Sequence, residues 1–172
     1  MQAKTKTKRT EAKRRKVLIG IGFWFLSLTW GCLMTFIGLI GALVCIVMGK
    51  KPKRFHYLIY FEMGRNWGGL NAGPIFFISE DCRDVRWHEA GHGIQNIMFG
   101  VFMPFVVSIP SCIRYWYRVW FINHISQMSD GGKKTLPDYD SIWFEGQATY
   151  LGNKYFGDDG EESVIEEGED LP

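Results

Sequence analysis

The chain has 172 residues, a length that suits one compact unit and argues against separate catalytic and regulatory domains. Hydrophobic residues make up 47% of it, yet its mean hydropathy is −0.08 because the charges cluster in a basic start, residues 1–16, and an acidic end, residues 158–172. The basic start runs directly into an apolar stretch, which favours a cytoplasmic membrane flank over a nucleic-acid-binding arm. Like charge in the acidic tail predicts disorder there.

Residues 17–49 contain no charged side chain and exceed the roughly 20 residues needed to cross a bilayer, so they predict a transmembrane segment. A signal peptide fits poorly because its apolar region has only about 7 to 15 residues. One straight helix would be about 50 Å long, beyond a hydrocarbon core of about 30 Å. Two arrangements stay open: a span over 29–49 preceded by an interfacial helix, or a short hairpin that turns near Trp30 and Gly31. Basic residues after position 49 favour the hairpin, because both ends then face the cytoplasm.

The next segment changes in character. Residues 55–61 are aromatic and β-branched, 64–69 are rich in turn residues, and 70–79 are apolar again. This pattern predicts the two strands of a short antiparallel hairpin.

A helix is predicted over residues 84–99, with Asp84 as its N-cap. Its first half reads His-Glu-Ala-Gly-His. His88 and His92 are four residues apart, so both rings project from one helix face and can bind one metal ion. Glu89 lies beside the first ligand, where a carboxylate can act as general base on a metal-bound water.

An HExxH motif alone arises by chance in about one per cent of chains of this length, and a solvated His/Glu/His ladder on a surface helix is the alternative. Gly91 and Gly93 argue against that alternative, since each costs about 1 kcal/mol in a helix unless close packing requires a bare backbone. Ionisable residues in strongly apolar surroundings also tend to be functional.

Beyond the motif, residues 97–113 are uncharged but interrupted by two prolines, which predicts partial or kinked membrane insertion after a helix end at Gly100. The rings and cations of 114–120 are typical of the headgroup region. Residues 127–140 predict a polar loop, and 141–156 a last helix capped by Ser141 and ended by Gly157.

A zinc site needs a third ligand. Glu145, in the first turn of the last predicted helix, is the favoured one, and His124, Asp138 and Asp140 are rivals. A metzincin would require a histidine at position 98, where the chain has Met98.

The segments HEAGHGIQN and FEGQATYLG resemble those of gluzincin membrane metallopeptidases, broadly the HtpX-like and CaaX-prenyl-protease-like group. The pattern looks closest to small bacterial membrane proteins with a Trp-Gly element before the span, an aromatic hairpin containing Gly-Gly, and an HExGHxIQ motif. The matching positions are Trp30, Gly31, Gly68, Gly69, Ile94 and Gln95.

This resemblance implies an α+β membrane protein with a transmembrane segment at 17–49 and a zincin-like domain over 50–157, in the bacterial inner membrane. His88, His92 and Glu145 would be zinc ligands and Glu89 the base. An extended peptide would lie along an edge strand around residues 75–78. The Asp that often ends the Glu-x-x-Ala-Asp segment of the group is Thr149 here.

The expected activity is hydrolysis of peptide bonds in a membrane or membrane-proximal protein by a zinc-activated water. Tyr139, Tyr150 and His124 are candidate donors to the oxyanion. One alternative is a non-catalytic, zinc-stabilised sensor or partner-binding protein with a metallopeptidase-like fold. A structural membrane protein without metal is a third possibility.

Overall fold

A computed structural model describes residues 2–124 and 136–157, with side chains described at residue 11 and from residue 14 onward. The tail expected at 158–172 and most of the loop expected at 127–140 lie outside the described residues. The described part is α+β, with a four-stranded sheet. Its α-helices are α1 (Gln2–Thr29), α2 (Cys32–Val47), α3 (Arg86–Phe99), α4 (Ile109–His124) and α5 (Trp143–Phe156).

The uncharged N-terminal stretch breaks at the predicted place. α1 ends at Thr29, α2 begins at Cys32, and the helix axis bends by 99° between them. Among the described helices, none is by itself long and apolar enough to cross a membrane. Two bent pairs meet that requirement jointly by length and composition: Arg14–Thr29 with Cys32–Val47, and Arg83–Phe102 with Pro104–His124.

The sheet differs from the predicted single hairpin. Its strands are β1 (Lys53–Phe55), β2 (Leu58–Glu62), β3 (Gly69–Ala72) and β4 (Ile75–Ile78), in the order β1-β2-β4-β3. Each predicted strand region contains a tight turn and forms its own antiparallel hairpin, and the hairpins join through the parallel pair β2 and β4. The turns lie at His56 and Gly73, both with positive φ, and an apolar composition that continues through such short turns does not reveal them.

The predicted edge strand is also wrong. β4 lies between β2 and β3, and all four of its residues are buried, so it has no free edge. The strand with an unpaired outer edge that contacts α3 is β3. The continuous apolar run Ile-Phe-Phe-Ile is typical of a strand covered on both faces.

Alternation along β4 builds the two cores. Ile75 and Phe77 face α2, where they meet Met34 and Cys45. Phe76 and Ile78 face the opposite side, in a cluster that also contains Phe23 of α1, Ala90 of α3 and Phe156 of α5. The sheet is therefore the platform on which α3 and α5 meet.

Helix ends follow the predictions in part. α3 ends at Gly100, whose φ of 58° suits glycine, and α5 ends at Gly157. Asp84 does not cap α3, because it lies in a 3-10 turn before Arg86 and makes no side-chain capping hydrogen bond. Ser141 likewise lies in a 3-10 turn, and Ile142 occupies the N-cap of α5.

The proline-containing segment is kinked, as predicted. A 3-10 turn at Gly100–Phe102 and a π-helical turn at Pro104–Ser108 separate α3 from α4, and the axis bends by 115°. Pro104 has no N–H to continue a helical ladder, which accounts for the break.

Candidate metal centre

α3 and α5 pack with their backbones in contact, and this contact positions the site. A Cβ at Gly91 would lie 1.9 Å from the carbonyl oxygen of Ala148, and one at Gly152 would lie 2.1 Å from that of Trp87. Only residues without a side chain fit at these two points. The glycine inside the HExxH motif is thus explained by close helix packing, and the packing carries Glu145 to the motif.

Three side chains converge on one point. Oε2 of Glu145 lies 3.1 Å from Nε2 of His88 and 3.3 Å from Nε2 of His92, and the two Nε2 atoms are 3.1 Å apart. Glu145 is fully buried and His92 is 7% exposed. The three predicted ligands therefore form one compact donor set.

Gln95 determines the tautomer of His92. Its side-chain N–H groups donate to the carbonyl oxygen of Phe144 at 2.7 Å and to Oε1 of Gln147 at 3.0 Å. Its oxygen therefore faces Nδ1 of His92, at 2.7 Å. Because this oxygen can only accept, Nδ1 of neutral His92 carries the proton and the lone pair of Nε2 points into the centre.

Thr149 contacts the corresponding ring nitrogen of His88. Its hydroxyl lies 2.9 Å from Nδ1 of His88. Gluzincin membrane metallopeptidases, which the motifs resemble, often have an aspartate at this position. The hydroxyl can accept the Nδ1 proton as a carboxylate would, but it adds no charge. The departure from the group's pattern thus changes the electrostatics of this contact and keeps its geometry.

The donor set fits a metal ion. Ligands bound tetrahedrally at 2.0–2.1 Å are separated by roughly 3.3 Å, close to the separations between these three atoms. Two neutral imidazole lone pairs at 3.1 Å repel unless a cation lies between them. Oε1 of Glu145 is buried and has no hydrogen-bond partner in the described part of the protein.

The rival third ligands lie elsewhere. Asp138 and Asp140 are exposed at the turn before α5. His124 is exposed at the end of α4 and stacks on Trp120. Glu145 is the third member of the donor set.

Electrostatics prepare Glu145 to act as an anionic ligand. Burial opposes its charge, but the adjacent His88 and His92 outweigh burial and keep the pKa of Glu145 well below its usual range. A carboxylate that stays ionised while buried is suited to binding a cation.

Glu89 lies beside the donor set without joining it. It is 5% exposed, and its Oε2 has no hydrogen-bond partner among the described residues. Burial, opposed by both histidines, raises the pKa of Glu89. β3 approaches so closely that a Cβ at Gly69 would lie 2.3 Å from Oε1 of Glu89. Glu89 is therefore a buried carboxyl group with one unpartnered oxygen that lies against the face of β3 at Gly69.

Asn71 ties β3 to the metal-binding helix. Its side-chain amide donates to the backbone oxygen of Glu89 at 2.8 Å, and its oxygen accepts from the N–H of Gly73 at 2.9 Å. No sequence signal singled out Asn71, because the contact depends on how the second hairpin packs on α3. Gln95 did have a signal, since it lies three residues after His92 on the same helix face.

Tyr139 is the one predicted oxyanion donor that reaches the site. Its ring centre lies 6.3 Å from that of His88, and its hydroxyl lies 3.3 Å from Oγ of Ser111. Burial raises the pKa of Tyr139 to about 12, with a further contribution from nearby carboxylates, so the phenol keeps its proton. Tyr150 is exposed on α5 beside Lys154, and His124 is exposed at the end of α4.

Two arginines of α4 fix the segment that carries Tyr139. Arg114 donates to the carbonyl oxygens of Asp138 at 2.7 Å and of Tyr139 at 3.0 Å. Arg118 donates to the carbonyl oxygen of Pro137 at 2.5 Å. Both guanidinium groups also lie over the Tyr139 ring, 5.6 and 5.7 Å from its centre.

Comparisons with protein families, curated proteins and solved structures found no match for this chain. The resemblance to gluzincins therefore rests on its motifs. The chemistry of the site rests on its own geometry, which is a His/His/Glu donor set with an adjacent buried carboxyl group and a protonated phenol.

Proposed function

We propose that this chain is a membrane-associated zinc metallopeptidase. The observation that carries the proposal is the placement of Glu89, a buried carboxyl group whose Oε2 has no hydrogen-bond partner among the described residues, next to the compact donor set formed by His88, His92 and Glu145. Two histidines and one glutamate leave a fourth position open, the arrangement found in catalytic rather than structural zinc sites. The gluzincin-like motifs give independent support.

Each residue then has a role. His88, His92 and Glu145 would hold a zinc ion, which would supply a Lewis acid for the activation of water. Glu89 accepts the proton of the attacking water and passes it to the leaving amine. Tyr139, a phenol with a raised pKa, donates a hydrogen bond to the developing oxyanion.

The outer side of β3 is the proposed binding place for the substrate backbone. The N–H of Ser79 donates to the carbonyl of Gly68, so by antiparallel alternation the backbone groups of Gly69 and Asn71 point away from β4. An extended peptide can pair with these groups beside Glu89. This arrangement replaces the edge expected at residues 75–78.

The proposed substrate is a membrane or membrane-proximal protein, because exposed apolar side chains cover most of α2 and much of α4. We place the chain in a bacterial inner membrane with its basic start in the cytoplasm, in accord with the positive-inside rule. Zinc and a lipid bilayer are thus its proposed cofactor and partner, besides the peptide.

The test compares Glu89→Gln with wild type and with Glu80→Gln, a control at a partly exposed surface carboxylate. The full chain is reconstituted in lipid nanodiscs, its zinc content is measured, and unfolded or membrane-anchored proteins are supplied as substrates. Glu89→Gln is expected to retain zinc and lose cleavage, while the control keeps both. Cleavage by Glu89→Gln would show that the assigned base is wrong. Zinc binding without cleavage by wild type would instead support the non-catalytic sensor.

A further inference from the structure

The two bent helix pairs contact each other at their bends. Trp30, between α1 and α2, lies close to Gly100: a Cβ built on Gly100 would be 2.1 Å from the Trp30 indole. The Trp30 ring also meets the Phe102 ring edge to face, with ring centres 6.4 Å apart. Gly31 lies against Asn96, whose amide nitrogen would be 2.3 Å from a Cβ at position 31. Both bends therefore belong to one structural unit, which we call the apex (residues 28–33 and 96–105).

The surface of the apex is apolar and exposed. Its outer side chains are Leu28 at 52%, Trp30 at 44%, Leu33 at 40%, Phe102 at 58% and Phe105 at 65% exposure. Exposed apolar side chains in contact across two chain segments form a continuous patch, and soluble proteins seldom leave such a patch uncovered.

In each bent pair, the two helical segments, here called arms, are uncharged on both sides of the bend. Residues 17–49 and 97–113 contain no Asp, Glu, Lys or Arg. The first pair has basic flanks, with Arg14, Arg15 and Lys16 before residue 17 and Lys50 and Lys51 after residue 49. The uncharged stretch of the second pair is preceded by residues of both signs, among them Arg86 and Glu89, and followed by Arg114 and Arg118. Charged residues beyond both ends of an apolar bend indicate that the two ends lie in one aqueous compartment.

The break between α1 and α2 satisfies its own backbone. The Thr35 hydroxyl lies 2.8 Å from the carbonyl oxygen of Ser27 and 2.9 Å from that of Gly31, so its proton is shared between them. The amide of Asn96 also donates to the Gly31 carbonyl, at 3.4 Å. Thr35 and Asn96 are buried, at 1% and 0% exposure. The carbonyl groups freed by the break are thus paired within the protein, as a broken helix in hydrocarbon requires.

We infer that the apex is a re-entrant wedge, which enters one leaflet of a lipid bilayer from the side of the charged ends and returns without crossing. Arms of 16 residues are each about 24 Å long. With a bend of 99°, the apex lies about 18 Å below the arm ends, short of the hydrocarbon thickness of about 30 Å. The inference rests on the membrane association proposed above and is independent of catalysis.

The wedge also bears on the metal centre. Asn96 lies one helical turn after His92 on α3, so a single helix connects the donor set to the apex. The centre then lies only about 6 Å along α3 from Asn96, on the side of the apex that leads back to the start of α3.

A labelling experiment tests the topology. Lys16→Cys and Lys51→Cys are introduced separately into the full chain with Cys32, Cys82 and Cys112 changed to Ser, since Cys45 is only 1% exposed. A membrane-impermeant maleimide is applied to intact and to lysed spheroplasts. Both positions are expected to react from the same side. Reaction from opposite sides would establish a full crossing and overturn the wedge.

Depth is measured in nanodiscs on the same cysteine-reduced background. Nitroxide labels at Leu33→Cys and Phe105→Cys are expected to favour collision with oxygen over a water-soluble nickel reagent and to report similar depths. Labels at positions 16 and 51 are expected to show the reverse preference. Nickel accessibility at both apex positions would mean that the apex lies in water, which contradicts the inference.

A hydroxyl deletion tests the buried bend without labels. Thr35→Val removes the donor to the Ser27 and Gly31 carbonyls, and the matched Thr29→Val removes only an exposed hydroxyl that bonds within its own helix turn. In nanodiscs we expect Thr35→Val to lower the unfolding temperature and Thr29→Val to leave it nearly unchanged. Equal behaviour would show that the Thr35 hydrogen bonds do not stabilise the bend, which contradicts the inference. None of these measurements requires peptidase activity, so the wedge and the proposed function fail separately.

Discussion

The side-chain oxygen of Gln95 lies 2.7 Å from Nδ1 of His92, one helical turn along α3. The contact connects a metal ligand to α5, because the amide of Gln95 donates to the carbonyl of Phe144, the residue before Glu145. One buried amide thus sets the tautomer of one ligand and the position of the helix turn that carries another.

Replacing Gln95 with Leu is expected to weaken zinc binding by about 10- to 100-fold, the usual effect of losing a group that orients a histidine ligand. Chelator competition on the purified chain measures the change. Asn153→Leu, on the exposed face of α5, is the control and should bind zinc as wild type does. Unchanged affinity in Gln95→Leu would mean that Gln95 does not orient His92.

Gly91→Ala should separate α3 from α5. The new methyl group would lie 1.9 Å from the Ala148 carbonyl, so the backbones must move apart, with a loss of at least about 1–3 kcal/mol in unfolding free energy. Thermal unfolding and zinc content measure the effect, and both should fall. Gly22→Ala is the control, because nothing lies within 4 Å of the Cβ that the substitution would add. Alanine also favours the helix over glycine by about 1 kcal/mol. Similar stability in the two variants would argue against backbone contact at Gly91.

Tyr139→Phe should reduce the rate of peptide cleavage by about 10- to 1000-fold, because it removes one donor to the oxyanion, and should leave zinc content unchanged. Arg114→Ala should lower the same rate constant through loss of Tyr139 positioning, with little change in KM. The double variant should be no slower than Tyr139→Phe alone. Additive losses would show that Arg114 acts independently of Tyr139.

The identity of the third ligand is tested by metal content. Glu145→Ala removes the only carboxylate within the donor set of the described residues and should abolish stoichiometric zinc binding. Asp140→Ala removes an exposed carboxylate in the turn before α5 and should bind zinc normally. Loss of zinc in Asp140→Ala together with normal zinc binding in Glu145→Ala would show that Asp140 is the third ligand.

Local patterns predicted the parts of the site that lie within one helix. His88 and His92 share a face because they are four residues apart, and Glu89 stands beside them for the same reason. The bend at Trp30 and Gly31 and the kink near Pro104 were predicted as well, since both depend on segment length or on a missing backbone donor. These features need no knowledge of the rest of the chain.

The sheet was predicted less well. Composition revealed two apolar regions but not the turns inside them, and so it missed that each region is a hairpin. It also placed the edge at residues 75–78, since a run of four apolar residues does not tell which neighbours a strand acquires. Strand order is a property of long-range pairing, and it put β3 beside Glu89.

By itself, the sequence determined a helix with two candidate metal ligands on one face, its adjacent carboxylate and two uncharged apolar stretches, because each depends on spacing along a few turns of chain. Only the tertiary structure decided that Glu145 completes the donor set and that Gln95 and Thr149 contact the two histidines. It also decided that Tyr139, with two arginines over its ring, lies near His88. The physical reason is the backbone contact of α3 and α5 at Gly91 and Gly152. It brings together groups more than fifty residues apart, and helical periodicity in either segment carries no information about that distance.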